Sequence, residues 1–166
     1  MSQKQRGVAF LDGDDVWMKN KLQRQLGVVT QGVDLVGADH LLIDEGGQAC
    51  AYAIAQFIPM PSSWLVRRET IIRMPFEGDP SEDGRWWRRY ARQTRRVRLP
   101  EVLIGYRVRW VSASSASPSK KRKVAIVKIA SVPGVRPIVL AATWICHMAT
   151  RRREYVWAPE WGVEPN

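Results

Sequence analysis

Apolar runs along the chain are short and end in charged turns up to about residue 111, and longer and mixed with basic residues beyond it. Residues 7–11 (GVAFL) stop abruptly at Asp-Gly-Asp-Asp, the pattern of a buried strand feeding a turn. Over 16–29, Val16, Trp17, Leu22, Leu26 and Val29 recur on one side, with Lys19, Lys21 and Arg24 elsewhere. That spacing predicts a helix, N-capped by Asp14 or Asp15. Branched residues over 34–43 predict a strand, Asp44-Glu45-Gly46-Gly47 a turn, and 48–54 the returning arm of a hairpin. Two prolines make 57–63 a loop; 63–66 read as a short strand, 69–73 as a brief helix and 74–81 as a Pro/Gly/Asp loop. A helix is expected over 82–94, where Trp86, Trp87, Tyr90 and Ala91 stand among arginines. Residues 97–99 are extended before Pro100, and 102–111 form a last strand-like run.

Beyond this the pattern changes. Residues 112–119 are almost all Ser and Ala and read as a linker. The expected organisation is a small α/β unit over 1–111 and a basic, apolar, helical extension over 120–166. Within the extension, 137–149 is too short to span a bilayer. Basic clusters flank it, so it either docks as a helix on the α/β unit or lies on an anionic membrane surface.

The 166 residues suffice for one domain, and 45% apolar types suffice for a core. Two cysteines without a Cys-x-x-Cys pair, and two histidines, exclude a disulfide scaffold and a zinc finger. Residues 1–7 are polar and basic with no long apolar run behind them, so no secretory leader is expected. A reducing cytoplasm is the expected compartment, with peripheral attachment at the inner face of the membrane as a variant. The net charge of +10 is unevenly spread. Residues 1–60 hold five basic and seven acidic side chains; 61–109 hold twelve and six; 110–166 hold nine and three. A carboxylate cluster at the head of a basic chain argues against nucleic acid as partner. It suits a phosphate ligand bridged by a metal.

Candidate chemistry therefore centres on Asp12, Asp14 and Asp15. Carboxylates at i and i+2 in a tight turn can converge on one hard cation, which keeps positions free for a diphosphate. The plainer reading of those residues is a helix cap. The surroundings favour the first. The stretch GVAFLDGDDVWMKNKLQRQL resembles the centre of the family 2 glycosyltransferases, where a strand ends in Asp-x-Asp-Asp and an apolar-Trp pair leads into a helix. Asp12, Asp14, Asp15, Trp17, Lys21, Leu22 and Gln25 are the matching positions. VDLVGADHLLIDEGG, FIPMPSSWLVRRETI, PSEDGRWWRRYAR and RLPEVLIGYRVRWVSAS resemble further segments of that family in the same order, covering residues 7–116.

The resemblance implies a partial GT-A (nucleotide-diphospho-sugar transferase-like) α/β fold. The implied reaction is transfer of a sugar from a nucleotide-diphosphate donor to a hydroxyl of a carbohydrate or lipid-linked acceptor. Asp12 and Asp14, with Asp15 adjacent, are the implied ligands of Mn2+ or Mg2+. Asp83 is the implied general base, with Glu82 beside it keeping the field negative; the plainer reading of that pair is acidic dressing of a helix N-terminus. Arg107 and Arg109 are the expected donor-phosphate contacts, Arg109 standing where many relatives carry His. The match starts in mid-family, without the β-α-β units that bind the nucleoside. The expectation is a C-terminal half, inactive alone and complemented by a separately encoded N-terminal half. Gly84-Arg85 also departs from the family pattern.

Other conspicuous residues carry plainer readings. His40 is expected to be a strand-end residue and His147 a packing residue. At least one of Trp86 and Trp87 is expected in the core, and the arginines from Arg85 to Arg98 on a solvated helix face. The alternative to the enzyme is a basic module for nucleic acid or a membrane surface, in which Asp12–Asp15 only caps a helix.

Overall fold

The computed structural model describes residues 7–29, 32–54, 60–77, 82–90, 93–110, 118–151 and 156–157. It is a mixed α/β structure built on one seven-stranded sheet. The strands are β1 (Gly7–Ala9), β2 (Val16–Trp17), β3 (Leu35–Ile43), β4 (Ala49–Ala53), β5 (Trp64–Arg67), β6 (Arg96–Arg107) and β7 (Val156–Trp157). The helices are α1 (Lys21–Leu26), α2 (Arg68–Arg73), α3 (Glu82–Tyr90), α4 (Pro118–Ala130) and α5 (Arg136–Arg151). A 3-10 turn, Pro61–Ser63, leads into β5.

The sheet is centred on the parallel pair β3 and β6, matched from Leu35↔Arg96 to Ile43↔Arg107. Every other pairing is antiparallel. The second edge of β3 takes β5 over Leu35–Gly37 and β4 over His40–Ile43. The expected hairpin is there: Gly47 adopts φ 84°, a left-handed conformation that glycine tolerates, and the Asp44 carboxylate accepts the Gln48 amide at 2.8 Å.

Two expectations are corrected. The helix expected over 16–29 is only α1, and neither Asp14 nor Asp15 caps it; Asn20 precedes it. Val16 and Trp17 instead pair with Gly105 and Ile104, and the Met18 amide donates to the Leu103 carbonyl at 2.9 Å. A tertiary ladder thus takes the backbone groups that a first helical turn would use. Conversely, the two extended pieces around Pro100 are one strand. Proline has no amide to give the ladder, so the register with β3 jumps around Asp39, from Ala38↔Leu99 to Asp39↔Val102 and His40↔Ile104.

Val36, Ala38, Leu103 and Ile104 form one buried cluster with Val33, Met60 and Leu99. Leu35, Trp64, Val66 and Trp86 form another, against which Phe10, Phe76 and Trp87 pack. The third joins the C-terminal helices to the sheet: Val127 and Ala130 of α4 pack with Leu42, Cys50, Ala51, Ala53 and Val108. On β4, the Tyr52 amide donates to the Thr143 hydroxyl of α5 at 3.0 Å, so the helix supplies a partner to a strand edge. The stretch expected either to dock or to lie on a membrane docks by this face. Its other face exposes Ile138 and Ile145, 66% and 61% accessible. Among the described residues no helix is long and apolar enough to cross a membrane.

The end of α5 is locked by buried charge. Arg98 donates from Nε to Asp39 Oδ1 at 2.9 Å and from Nη1 to the Thr150 carbonyl at 3.1 Å. His147 Nδ1 lies 3.2 Å from Asp39 Oδ2. Arg98 is thus no surface arginine; it and Asp39 are wholly inaccessible. His40 is corrected too: it lies inside β3, fully buried and edge-on to Tyr106, rather than at a strand end.

Candidate functional site

The Asp12–Asp15 turn follows β1 and closes through the Asp15 amide donating to the Asp12 carbonyl at 3.0 Å. It is fastened from two distant elements. From the 3-10 turn, the Ser62 hydroxyl accepts the Asp12 amide at 3.0 Å, and the Ser62 carbonyl accepts Trp17 Nε1 at 3.0 Å. From β6, the Arg107 amide donates to Asp15 Oδ1 at 3.0 Å, and Arg107 Nε donates to the Asp14 carbonyl at 2.9 Å. Arg107 Nη1 goes to the carbonyls of Asp44 and Glu45, at 3.2 and 2.6 Å. Expected as a phosphate contact, Arg107 is found as a clamp on two loops. Arg109, the other expected contact, is exposed and pairs with Asp14 Oδ2 at 2.8 Å.

The other residues of the Asp-turn motif support the clamp. Lys21 is buried, with Nζ 3.4 Å from the Trp64 carbonyl and 4.1 Å above the Trp17 ring. Burial lowers its pKa to about 8. Gln25 Nε2 bridges the carbonyls of Val36 and Ser63 at 2.9 and 2.8 Å. These contacts fix the 3-10 turn, which in turn fixes Ser62 beneath the aspartates.

Asp83 comes from α3, whose position is set by tryptophans. Trp86 Nε1 donates to the Met74 carbonyl at 2.7 Å, and both Trp86 and Trp87 pack on Trp64, with ring centroids 5.5 and 5.3 Å away. Both rings therefore serve packing. The result is that Asp83 lies close enough to act electrostatically on Asp12 and on Tyr106. Glu82 opens the same helix; its side chain lies outside the described residues.

The electrostatics of this cluster are strained in one direction. Asp12 has a raised pKa, first from partial burial and then from the charges of Asp14 and Asp83, against Ser62 and Lys123. Asp15 is also raised, chiefly by burial, against hydrogen bonds from Ser62 and the Arg107 amide. The Ser62 hydroxyl has one proton and can serve only one carboxylate at a time. Asp15 Oδ2 is left buried without a partner. The phenol of Tyr106 is pushed up to about 12 by burial and by all four aspartates, Asp15, Asp12, Asp14 and Asp83. Four carboxylates thus share one field while Asp12 stays open to solvent.

Among the described residues no group of three or more His, Cys, Asp or Glu is arranged to hold a metal by itself. Asp12 is exposed and Asp15 Oδ2 is buried without a partner, and carboxylate oxygens are the hard donors that Mg2+ or Mn2+ takes. A separate cavity of about 410 Å³, lined in part by Tyr52, Glu101, Trp144 and His147, contains none of these aspartates.

Sequence reasoning missed Ser62. It was legible only as part of a proline-containing loop, although the Pro-Ser-Ser stretch falls inside a segment that resembles the glycosyltransferases. No family model matches the chain, and no curated protein matches it.

Proposed function

We propose that the chain carries the metal-site and acceptor half of a family 2 glycosyltransferase, with a partial GT-A-type fold. Such a protein transfers a sugar from a nucleotide-diphosphate donor to an acceptor hydroxyl. The observation that supports this reading is the placement of Asp83 towards the Asp-turn: α3 and the turn are far apart in sequence, yet the Asp83 charge helps raise the pKa of Asp12, after burial and Asp14. A turn that merely capped a helix would need no second carboxylate brought to it, and this one caps no helix.

In this reading Asp12 and Asp14 hold Mn2+ or Mg2+, with Asp15 adjacent. When bound, the metal neutralises charge on the departing diphosphate. Arg109 faces the phosphates, and Arg107 and Ser62 keep the turn rigid. Asp83 takes the proton of the acceptor hydroxyl as its oxygen bonds to the anomeric carbon and the bond from that carbon to the diphosphate oxygen breaks. The test is calorimetric titration of Mn2+ with and without uridine or guanosine diphosphate. The expected result is weak metal binding, strengthened by nucleoside diphosphate and abolished in Asp12→Asn/Asp14→Asn. Equal binding by wild type and double variant removes the metal role.

A second reading has its own observation. The outer face of α5 presents Ile138, Ile145 and Met148, spaced to share one side of the helix, and α4 exposes Lys121 and Arg122. An exposed apolar helix face in a basic extension fits a peripheral contact with an anionic membrane surface. Cosedimentation with phosphatidylglycerol vesicles, reduced in Ile138→Ser/Ile145→Ser and absent with neutral phosphatidylcholine vesicles, is the expected outcome. Equal retention of all forms by both vesicles counts against it.

A further inference from the structure

The cavity of about 410 Å³ lies between α5 and β6, and the fold brings polar groups to it in two irregular ways. Trp144 and His147 line it from α5, at a spacing that shares one helix face. Glu101 lines it from β6, within the register jump between Leu99 and Val102; a bulge of this kind re-aims side chains. Asn20 lines it from the head of α1. An asparagine there ordinarily caps its helix through the side chain, but Asn20 makes no such bond. His147 is 5% accessible, stacks on Tyr52 with ring centroids 5.6 Å apart, and stands 3.2 Å from Asp39 through Nδ1. Glu101 is oriented by Arg24, whose Nε donates to its two carboxylate oxygens at 3.1 and 2.8 Å. One wall is therefore set in place, whereas Trp144 on the other leaves 48% of its surface accessible.

We propose that this cavity binds a neutral carbohydrate ring, with Trp144 stacked on its C–H face and Asn20 and Glu101 bonded to its hydroxyls. No lysine or arginine lines the cavity, so a phosphate or carboxylate finds no cation there. A wholly apolar ligand would take Glu101 and Asn20 out of water without giving them hydrogen bonds. An ammonium is poorly matched as well, because Arg24 already answers the Glu101 charge. A pyranose has an apolar face and a rim of hydroxyls that both donate and accept. The indole supplies the flat apolar surface, the amide donates and accepts, and the carboxylate accepts. The volume is that of a small-molecule site. The inference is independent of the diphosphate reading, since none of Asp12, Asp14, Asp15 and Asp83 lines the cavity.

The full chain is titrated with the methyl glycosides of glucose, galactose, mannose and N-acetylglucosamine and read by saturation-transfer NMR, with tetramethylammonium and pyrophosphate as charged probes. At least one glycoside is expected to bind, with the strongest saturation on the protons of one ring face. Trp144→Ala is expected to weaken it roughly tenfold, and Trp144→Phe to recover part of the loss. Asn20→Ala is expected to cost about threefold. Glu101→Gln keeps an acceptor oxygen and should stay within about threefold of wild type. Asp12→Asn/Asp14→Asn should bind the glycoside as wild type does. Thermal melting checks the fold of each variant, and Trp144→Phe with Asn20→Ala carry the test if Trp144→Ala unfolds. Binding of none of the four glycosides overturns the inference, and so does wild-type affinity in Trp144→Ala. Tetramethylammonium or pyrophosphate bound at Trp144 in place of the glycosides overturns it too, as the mark of a charged ligand. Loss of glycoside binding in Asp12→Asn/Asp14→Asn would put the sugar at the acidic turn and overturn this inference alone, leaving the diphosphate reading standing.

Discussion

Two groups of charged side chains sit on this sheet, and they are built in opposite ways. Around Asp39 a carboxylate is taken wholly out of water and answered in kind: Arg98 donates to it, His147 faces it, and the Thr150 carbonyl accepts from the same guanidinium. Around Asp12 four carboxylates act on one phenol, that of Tyr106; Asp12 remains open to solvent, Asp14 pairs with exposed Arg109, and a buried oxygen of Asp15 has no partner. The first group closes on itself and ties α5 to β3 and β6. The second is fastened by Ser62 and Arg107, carries one ion pair, Arg109 with Asp14, and leaves one buried Asp15 oxygen without a partner. Charge that is satisfied internally speaks for structure; charge that is fixed in place and left unsatisfied speaks for a ligand.

The contrast can be broken at its structural end with the largest effect. Arg98→Met leaves Asp39 buried without its main cation, and is expected to cost about 3–5 kcal/mol in urea unfolding. Removing both partners, as Asp39→Leu/Arg98→Met, should recover much of that loss, since no uncompensated charge is left behind. A loss below about 1 kcal/mol for Arg98→Met would show that water reaches the pair.

Lys21 tests the packing beneath the turn. Burial lowers its pKa to about 8 from the ordinary 10.5, so the unfolded chain binds its proton more tightly. Its contribution to stability is therefore unfavourable below pH 8 and the penalty disappears as pH rises from 8 to 10.5. Wild type should gain on Lys21→Met by on the order of 1–3 kcal/mol across that window. A pH-independent difference between the two proteins refutes the burial of a charged ammonium there.

The acidic cluster should respond least in stability and with the reverse sign from most paired carboxylates. Asp12 and Asp15 are raised above the ordinary 3.8, so the folded protein holds these protons more tightly. What they contribute is present below pH 3.8 and is lost as pH rises through their folded values. Asp12→Asn/Asp15→Asn should remove that trend and leave stability at pH 7 within about 1 kcal/mol of wild type. A destabilisation like that of Arg98→Met would place the aspartates in the structural class and dissolve the contrast.

What was readable in the sequence follows the same division. The β3–β4 hairpin, α3 and the acidic turn were legible because each is written locally, in a turn glycine, an amphipathic spacing or a run of aspartates. The edge strand β2 was not, because Val16 and Trp17 fit a helical spacing and only their pairing with β6 decides otherwise. Pro100 suggested a break where the strand merely bulges, since a bulge needs its partner strand to be seen. The Asp turn drew notice as chemistry, but Ser62 and the Arg107 clamp reach it from other elements. Arg98 and His147 looked like a surface charge and a packing ring for the same reason: Asp39, which reorganises both, lies on another strand.

The measurement that bears most directly on this account is the position of the metal. Crystals of the full chain soaked with Mn2+ and uridine diphosphate should give an anomalous scattering peak within bonding distance of the Asp12 or Asp14 carboxylate. The diphosphate should lie on the side of Arg109, which pairs with Asp14. A manganese peak elsewhere, or a diphosphate bound only by the exposed lysines and arginines of α4 with the aspartates unengaged, would contradict the account.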